Sequence, residues 1–225
     1  MTAWPTICVD NFYDDPDKVR EFALGLDYAP AEDGRWPGKR SKEIIEIDEE
    51  FSLKFGRKLM SHYFDLEVTE VRWKISSQFQ LIEPYDNDIN SPKNIGWIHY
   101  DNAVIGGLIY LNKEPNPNSG TSLYAVIESA KYNNDQIAKE KFYLEGNDKD
   151  YEKLLNKHNE NFIETVKFSN QYNRLISFDS TLPHGANNFT ISNEPRLTQV
   201  FFVHDIKSTR PKTSDIYSKI YSKTV

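Results

Sequence analysis

Two residues in the stretch 97–112, W-I-H-Y-D-N-A-V-I-G-G-L-I-Y-L-N, have the types and spacing to share a metal: His99 and Asp101. Ile95, Trp97 and Ile98 precede or flank them and an apolar run spans 104–111. That pattern predicts a strand, and on a strand positions two apart project from the same face. An imidazole and a carboxylate aimed into one site are two thirds of the 2-His-1-carboxylate set, which holds Fe(II) and leaves coordination positions open for other ligands. The missing member is a second His. His184, in L-P-H-G-A-N-N at the start of a strand or turn, is the candidate.

A cation lies twelve residues beyond His184, at Arg196, followed two positions later by Thr198. A strand over 196–204 puts Arg196, Thr198, Val200 and Phe202 on one face. If 185–194 forms a strand and a return turn, the strands carrying His184 and Arg196 pair antiparallel, which brings the cation near the metal without touching it. A buried Arg needs a partner, because an unpaired charge away from water is expensive. A carboxylate fits: guanidinium matches it with two parallel hydrogen bonds, and the Thr198 hydroxyl adds a third donor.

The elements that must position these residues follow from periodicity. A short strand is expected at 6–9 and a helix over about 14–26, with Asp14, Asp15 and Asp17 at its positive end and Val19, Phe22, Ala23 and Leu26 as a buried stripe. Pro30, Gly34, Pro37 and Gly38 make 29–40 a loop, and a second helix is expected over 48–64. From Val71 the period becomes two, with Val71, Trp73, Ile75, Phe79 and Leu81 on one face. Strands are expected again at 121–127, 174–178 and 196–204. The charged interval 128–168 reads as a helical insertion. Its apolar stripes are modest, so it is expected to lie over the surface, either as a lid or docking segment beside the metal or as a patch on the outside of a sheet. Of the other histidines, His62 is expected to be structural, His158 to sit on a solvated helix face, and His204 to be satisfied locally or to support the site. Tyr100 should face away from the metal by strand alternation.

H-Y-D, then Y-L-N, then a distal His and R-L-T in that order resemble the Fe(II)- and 2-oxoglutarate-dependent dioxygenases, particularly their prolyl hydroxylase branch. The resemblance covers about residues 95–205. It implies a double-stranded β-helix, a jelly roll of the cupin kind, of mixed α+β composition, with N-terminal helices buttressing one sheet. It implies that His99, Asp101 and His184 bind the iron and form the catalytic centre, and that Arg196 and Thr198 grip the far carboxylate of 2-oxoglutarate. G-L-I-Y-L-N-K resembles the prolyl hydroxylase strand whose Tyr touches the same carboxylate, which implies that role for Tyr110. The implied reaction consumes O₂, releases succinate and CO₂, and hydroxylates a peptide or protein side chain or a small molecule. The sequence departs from the pattern at Gly120-Thr121 and in the length of the insertion. A metal-holding jelly roll that binds without turnover is the alternative.

Length and composition agree with one domain over 1–225: a helical part over about 1–68, a jelly-roll core over about 69–206 and the insertion within it. Thirteen Phe, thirteen Tyr and four Trp can build a large core despite a mean hydropathy of -0.66. A net charge of -7 offers no general attraction to nucleic acid or anionic membrane, and neither is expected as a partner. The single cysteine, Cys8, excludes an intramolecular disulfide, which suits a cytoplasmic location. The N-terminus lacks a signal-peptide pattern and no apolar run reaches membrane-spanning length, so neither export nor insertion is expected. The last twenty-one residues, with five Lys or Arg against two Asp, read as a solvated end.

Overall fold

The computed structural model describes residues 3–127, 136–145, 150–191 and 194–213. Its N-terminal part comprises β1 (Ile7–Val9), α1 (Pro16–Leu24), β2 (Ala29–Pro30), β3 (Lys39–Arg40), α2 (Ile44–Ile47) and α3 (Glu49–Ser61). There follow β4 (Val71–Ile82), β5 (Ile105–Tyr110), β6 (Thr121–Val126), α4 (Gln136–Glu145) and α5 (Tyr151–Asn159). The chain closes with β7 (Phe162–Phe168), β8 (Leu175–Asp179), β9 (His184–Ala186) and β10 (Arg196–Ser208). Helices α1 and α3 start where the sequence supplies caps. The Asp15 carboxylate accepts from the Lys18 amide at 3.2 Å and that of Asp48 from the Phe51 amide at 2.9 Å, satisfying amides that have no partner in the first turn.

Antiparallel strands form two sheets, a large one ordered β1-β8-β5-β10-β4-β3-β2 and a small one ordered β7-β6-β9. The outer face of the large sheet, with Phe79, Ile109, Leu175, Phe201 and Val203, is sealed by Phe55, Leu59 and Met60 of α3 and by Val19 and Ala23 of α1. Each such side chain contributes about 1.5–3 kcal/mol by leaving water, which is why the helical stripes and the strand alternation select one another. Tyr110, Ile176 and Phe178 on the inner face meet Leu123 of the small sheet. The architecture is the expected jelly roll with helices buttressing one sheet.

Several local expectations are corrected. The stretch 97–112 is not one strand: β5 begins only at Ile105, and His99 is joined to His184 by an isolated bridge. Asn102 and Ala103 form a bend between them, which frees 99–101 from the strand ladder. The loop at 29–40 contains β2 and β3, two-residue strands that extend the large sheet. They are too short to leave a periodic trace. The interval 128–168 is helical only in part, because β7 pairs along β6; 128–135 and 146–149 lie outside the described residues, as does most of the basic C-terminal stretch. β9 does not pair with β10 but with β6, so His184 and Arg196 face each other from opposite sheets instead of sharing a hairpin.

The insertion is also better buried than its charge suggested. Phe142, Tyr151 and Leu155 are enclosed around Trp97, and the Phe142 and Tyr151 rings stack at 3.6 Å. His158 is not on a solvated face: only 4% exposed, it lies 4.3 Å from the Trp97 ring, and its Nε2–H donates to the Ile98 carbonyl at 2.7 Å. Two aromatic residues and a Leu suffice for a satellite core when the partner is a Trp. His62 follows α3 beside Phe12, and the exposed His204, at a register break in β10, shares a 2.8 Å hydrogen bond with Ser76. Tyr100 does not turn away from the site: at 41% exposed it edges the cavity described next.

Candidate metal centre and cosubstrate pocket

Between the sheets lies a cavity of about 430 Å³, with His99, Asp101 and His184 in its wall. One ligand atom from each of these residues lies within 4.8 Å of the others. His184 Nε2 is 3.0 Å from Asp101 Oδ2, and His99 Nε2 is 3.6 Å from Asp101 Oδ1. The backbone sets this arrangement. His99 and His184 exchange both amide hydrogen bonds at 2.9 Å, and the Asp101 amide donates to the Ser180 carbonyl at 3.2 Å. Gly106 makes room opposite: a Cβ there would sit 2.9 Å from Ser180 Oγ and 3.5 Å from Asp101 Oδ2.

Both imidazoles are oriented in the same way. Nδ1 of His99 lies 2.8 Å from the Trp97 carbonyl and Nδ1 of His184 2.9 Å from that of Leu182. A carbonyl only accepts, so each Nδ1 carries the hydrogen and each neutral ring turns a bare Nε2 lone pair inward. Two lone pairs and a carboxylate facing one another repel unless a cation or a proton sits among them. Burial pushes the Asp101 carboxyl up, but His184, His99 and Arg40 outweigh it and hold Asp101 well below the usual carboxylate range. Burial lowers His184, and the carboxylate beside it more than compensates, so its pKa is raised. His99, buried and next to His184, falls to about 4. The donor set suits a divalent metal held by two neutral imidazoles and one carboxylate, and the two backbone carbonyls supply the outer support such ligands require.

At the other end of the cavity stands Arg196, 2% exposed, its guanidinium 5.5 Å from the Tyr110 ring centre. Nε donates to the Ser119 carbonyl at 3.1 Å, whereas Nη2 is buried without a hydrogen-bond partner. Thr198 Oγ1 is likewise buried and unpaired. Two unmatched donors side by side on one strand face are what a bound carboxylate would satisfy. Tyr110 is differently placed: its hydroxyl donates to Thr121 Oγ1 at 2.9 Å, and Thr121 and Arg196, not Tyr110 and Thr198, form the cavity surface. Thr121 is therefore a site residue that reading 120–121 as a poor match passed over.

Arg40, Trp36 and Lys139 were not legible as site residues. Antiparallel register sets Tyr110 beside Thr198, Thr198 beside Gln80 and Gln80 beside Arg40, so all four occupy one row of the large sheet and project from its inner face. Gly38, with φ of +68°, makes the turn into β3 possible: a Cβ there would lie 2.2 Å from the Leu81 carbonyl oxygen. Burial lowers the Arg40 guanidinium to about 10, leaving it charged at neutral pH. Lys139 and Tyr143 of α4 complete the cavity from the insertion, and the Tyr143 hydroxyl accepts from the Trp97 amide at 3.2 Å.

A family model described as a family of unknown function (DUF6445) matches residues 2–199. No curated protein matches the chain. Among solved structures, the fold is similar to HygX from Streptomyces hygroscopicus with nickel, 2-oxoglutarate and hygromycin B bound, at 12% identity and a TM-score of 0.52 over 88% of this chain and 82% of that one. It is also similar to a prolyl hydroxylase from Trichoplax adhaerens in complex with a hypoxia inducible factor oxygen degradation domain peptide fragment, at 14% identity and a TM-score of 0.50 over 89% and 83%. The epimerase SnoN in complex with Fe3+, alpha ketoglutarate and nogalamycin RO matches at 10% identity and a TM-score of 0.51 over 89% and 78%. At these identities the likeness establishes the jelly-roll fold of the 2-oxoglutarate and Fe(II) oxygenases. Among the described residues no helix is long and apolar enough to cross a membrane.

Proposed function

We propose, for a chain that belongs to the DUF6445 family of unknown function, that it is an Fe(II)- and 2-oxoglutarate-dependent dioxygenase of one domain. It would hydroxylate a small molecule or a peptide or protein side chain, with release of succinate and CO₂. The observation that carries this reading is the pairing of two unsatisfied groups around one cavity: inward lone pairs at His99, Asp101 and His184, and the unpaired Arg196 donor in the wall with the unpaired Thr198 hydroxyl buried just behind the surface on the same strand face. When bound, the metal would supply O₂ activation, chemistry that no side chain provides.

What the chain itself does follows from its geometry. His99 Nε2, His184 Nε2 and an Asp101 oxygen would hold the metal, with the Trp97 and Leu182 carbonyls fixing the tautomers. Arg196 Nη2 and Thr198 Oγ1 would take the far carboxylate of 2-oxoglutarate, while the Tyr110 ring and hydroxyl keep the Arg196 and Thr121 side chains in place. Burial on both sheets excludes water from that end of the cavity, which strengthens the charge pairing there. The insertion contributes Lys139 and Tyr143 to the wall, so it would shape what enters.

The test is succinate release with Fe(II), 2-oxoglutarate and O₂, together with calorimetric titration of 2-oxoglutarate into Ni(II)-loaded protein. Wild type should bind the cosubstrate and release succinate. Arg196→Ala should keep the metal and lose about 3–5 kcal/mol of cosubstrate affinity, the cost of stripping one partner from a buried charge pair. Metal and 2-oxoglutarate binding without any succinate would favour a binding module; equal cosubstrate affinity in wild type and Arg196→Ala would refute the assignment of Arg196.

A further inference from the structure

The charges around the cavity do not close with the metal and cosubstrate alone. Its surface carries one carboxylate, Asp101, against the cations Arg35, Arg40, Lys139 and Arg196. With a divalent metal, a 2-oxoglutarate dianion, Asp101 and Arg196 counted together, the sum is about zero. Arg35 is paired with Asp33. Arg40 and Lys139 remain, and among the described residues neither has a carboxylate within ion-pair distance. This excess of cations is local, since the whole chain carries -7.

Arg40 is built into the site. Its guanidinium lies 4.5 Å from the Trp36 ring centre and 5.7 Å from that of Phe202, so the flat cation is held between aromatic faces with its edge free to donate. Nε is buried and without a hydrogen-bond partner. The loop that delivers it is pinned, because the Gln80 amide donates to the Pro37 carbonyl at 2.8 Å. Arg40 sits two strands from Thr198 in the same inward row, on the side of the cavity away from the cosubstrate anchor. Lys139 reaches the same cavity from α4. A cation partly withdrawn from water without a partner is costly, and the half-buried Arg40 and Lys139 in one cavity are explained by a ligand that brings negative charge.

We infer that Arg40 and Lys139 form a subsite for an anionic group, a carboxylate or a phosphate, on the substrate that is oxidised. This rests on the reading of Arg196 as the cosubstrate anchor. The substrate class is then an acid or a phosphate ester whose charged end docks at Arg40 and Lys139 and whose reacting carbon lies towards the His99–Asp101–His184 centre. Trp36 and Phe202 line the cavity beside Arg40, so the group next to the charge would be flat or hydrocarbon.

The experiment uses two matched pairs of probes, para-fluorobenzoate against para-fluorobenzamide and para-fluorophenyl phosphate against para-fluorophenol. Each is titrated into full-length protein loaded with Ni(II) and 2-oxoglutarate and followed by fluorine NMR, in which the paramagnetic metal broadens only a nearby probe. Wild type should bind at least one acid about tenfold tighter than its neutral counterpart, the worth of a charge-assisted hydrogen-bond pair. The acid that gains more identifies the group as carboxylate or phosphate. In Arg40→Met and in Lys139→Met the preference should fall to within about twofold, while Arg40→Lys keeps part of it and calorimetric 2-oxoglutarate affinity stays unchanged. Equal binding of acid and neutral probes by wild type overturns the inference. So does a preference that survives in both Met variants, since the metal alone would then be holding the anion. Should Arg40→Met fail to fold, Arg40→Lys and Lys139→Met decide between the same outcomes. If wild type binds no 2-oxoglutarate, the oxygenase reading fails by itself, and the same comparison on metal-free protein still decides the anion subsite.

Discussion

Thr198→Val separates a side chain kept for a ligand from one kept for the fold. Thr198 is fully buried and its hydroxyl has no hydrogen-bond partner. Leaving such a group unsatisfied costs about 1–3 kcal/mol, and valine has nearly the same shape with no polar atom to desolvate. The position is in the middle of the large sheet, between Gln80 and Tyr110, where a β-branched residue is favoured. Metal-free Thr198→Val should therefore be more stable than wild type by about 1 kcal/mol, the lower end of that range. For a chain of this size this is about 2–4 °C in Tm. With Thr198 in the proposed role, the same change in the Ni(II)-loaded protein would remove a donor to the cosubstrate carboxylate, worth about 1.5 kcal/mol, so the 2-oxoglutarate Kd should rise about tenfold. The measurements are thermal unfolding of metal-free protein and calorimetric titration of the cosubstrate. The two effects must have opposite signs. A variant that melts lower, or one that binds 2-oxoglutarate as wild type does, would refute the argument that this hydroxyl is held in reserve for the cosubstrate.

Two further outcomes follow. Metal affinity should weaken as pH falls through the raised pKa of His184, because the metal must displace its proton, whereas His99, near 4, is already neutral. The slope should be about tenfold per pH unit for one competing proton, read by calorimetry from about pH 8.5 to 5.5; a flat profile would contradict the raised pKa of His184, and a two-proton slope the lowered pKa of His99. Trp97→Ala should cost about 3–5 kcal/mol in denaturant unfolding, since Trp97 anchors the satellite core of Phe142, Tyr151 and Leu155. A loss below about 1 kcal/mol would show that α4 and α5 do not depend on it.

What sequence alone determined is the chemistry of the constellation and the elements nearest to it. His99, Asp101 and His184, singled out by type and spacing, do come together in one cavity wall, and Arg196 and Thr198 share a face because strand periodicity is a local property of the chain. The capped helices and the alternating strand over β4 were legible for the same reason: caps and hydrophobic periods act within a few residues. Even so, His99 and Asp101 converge for a different reason from the one inferred. They lie outside a regular strand, and their direction is set by hydrogen bonds to His184 and Ser180, roughly eighty residues away. Only the tertiary structure decided which sheet each strand joins. It separated β9 from β10, recruited two-residue β3 to the large sheet, and buried His158 and Phe142 against Trp97. Arg40 and Lys139 became site residues through the same packing. Their place depends on long-range contacts among the 30s loop, β4 and α4, and nothing in the local sequence around a two-residue strand or on a weakly amphipathic helix encodes such contacts.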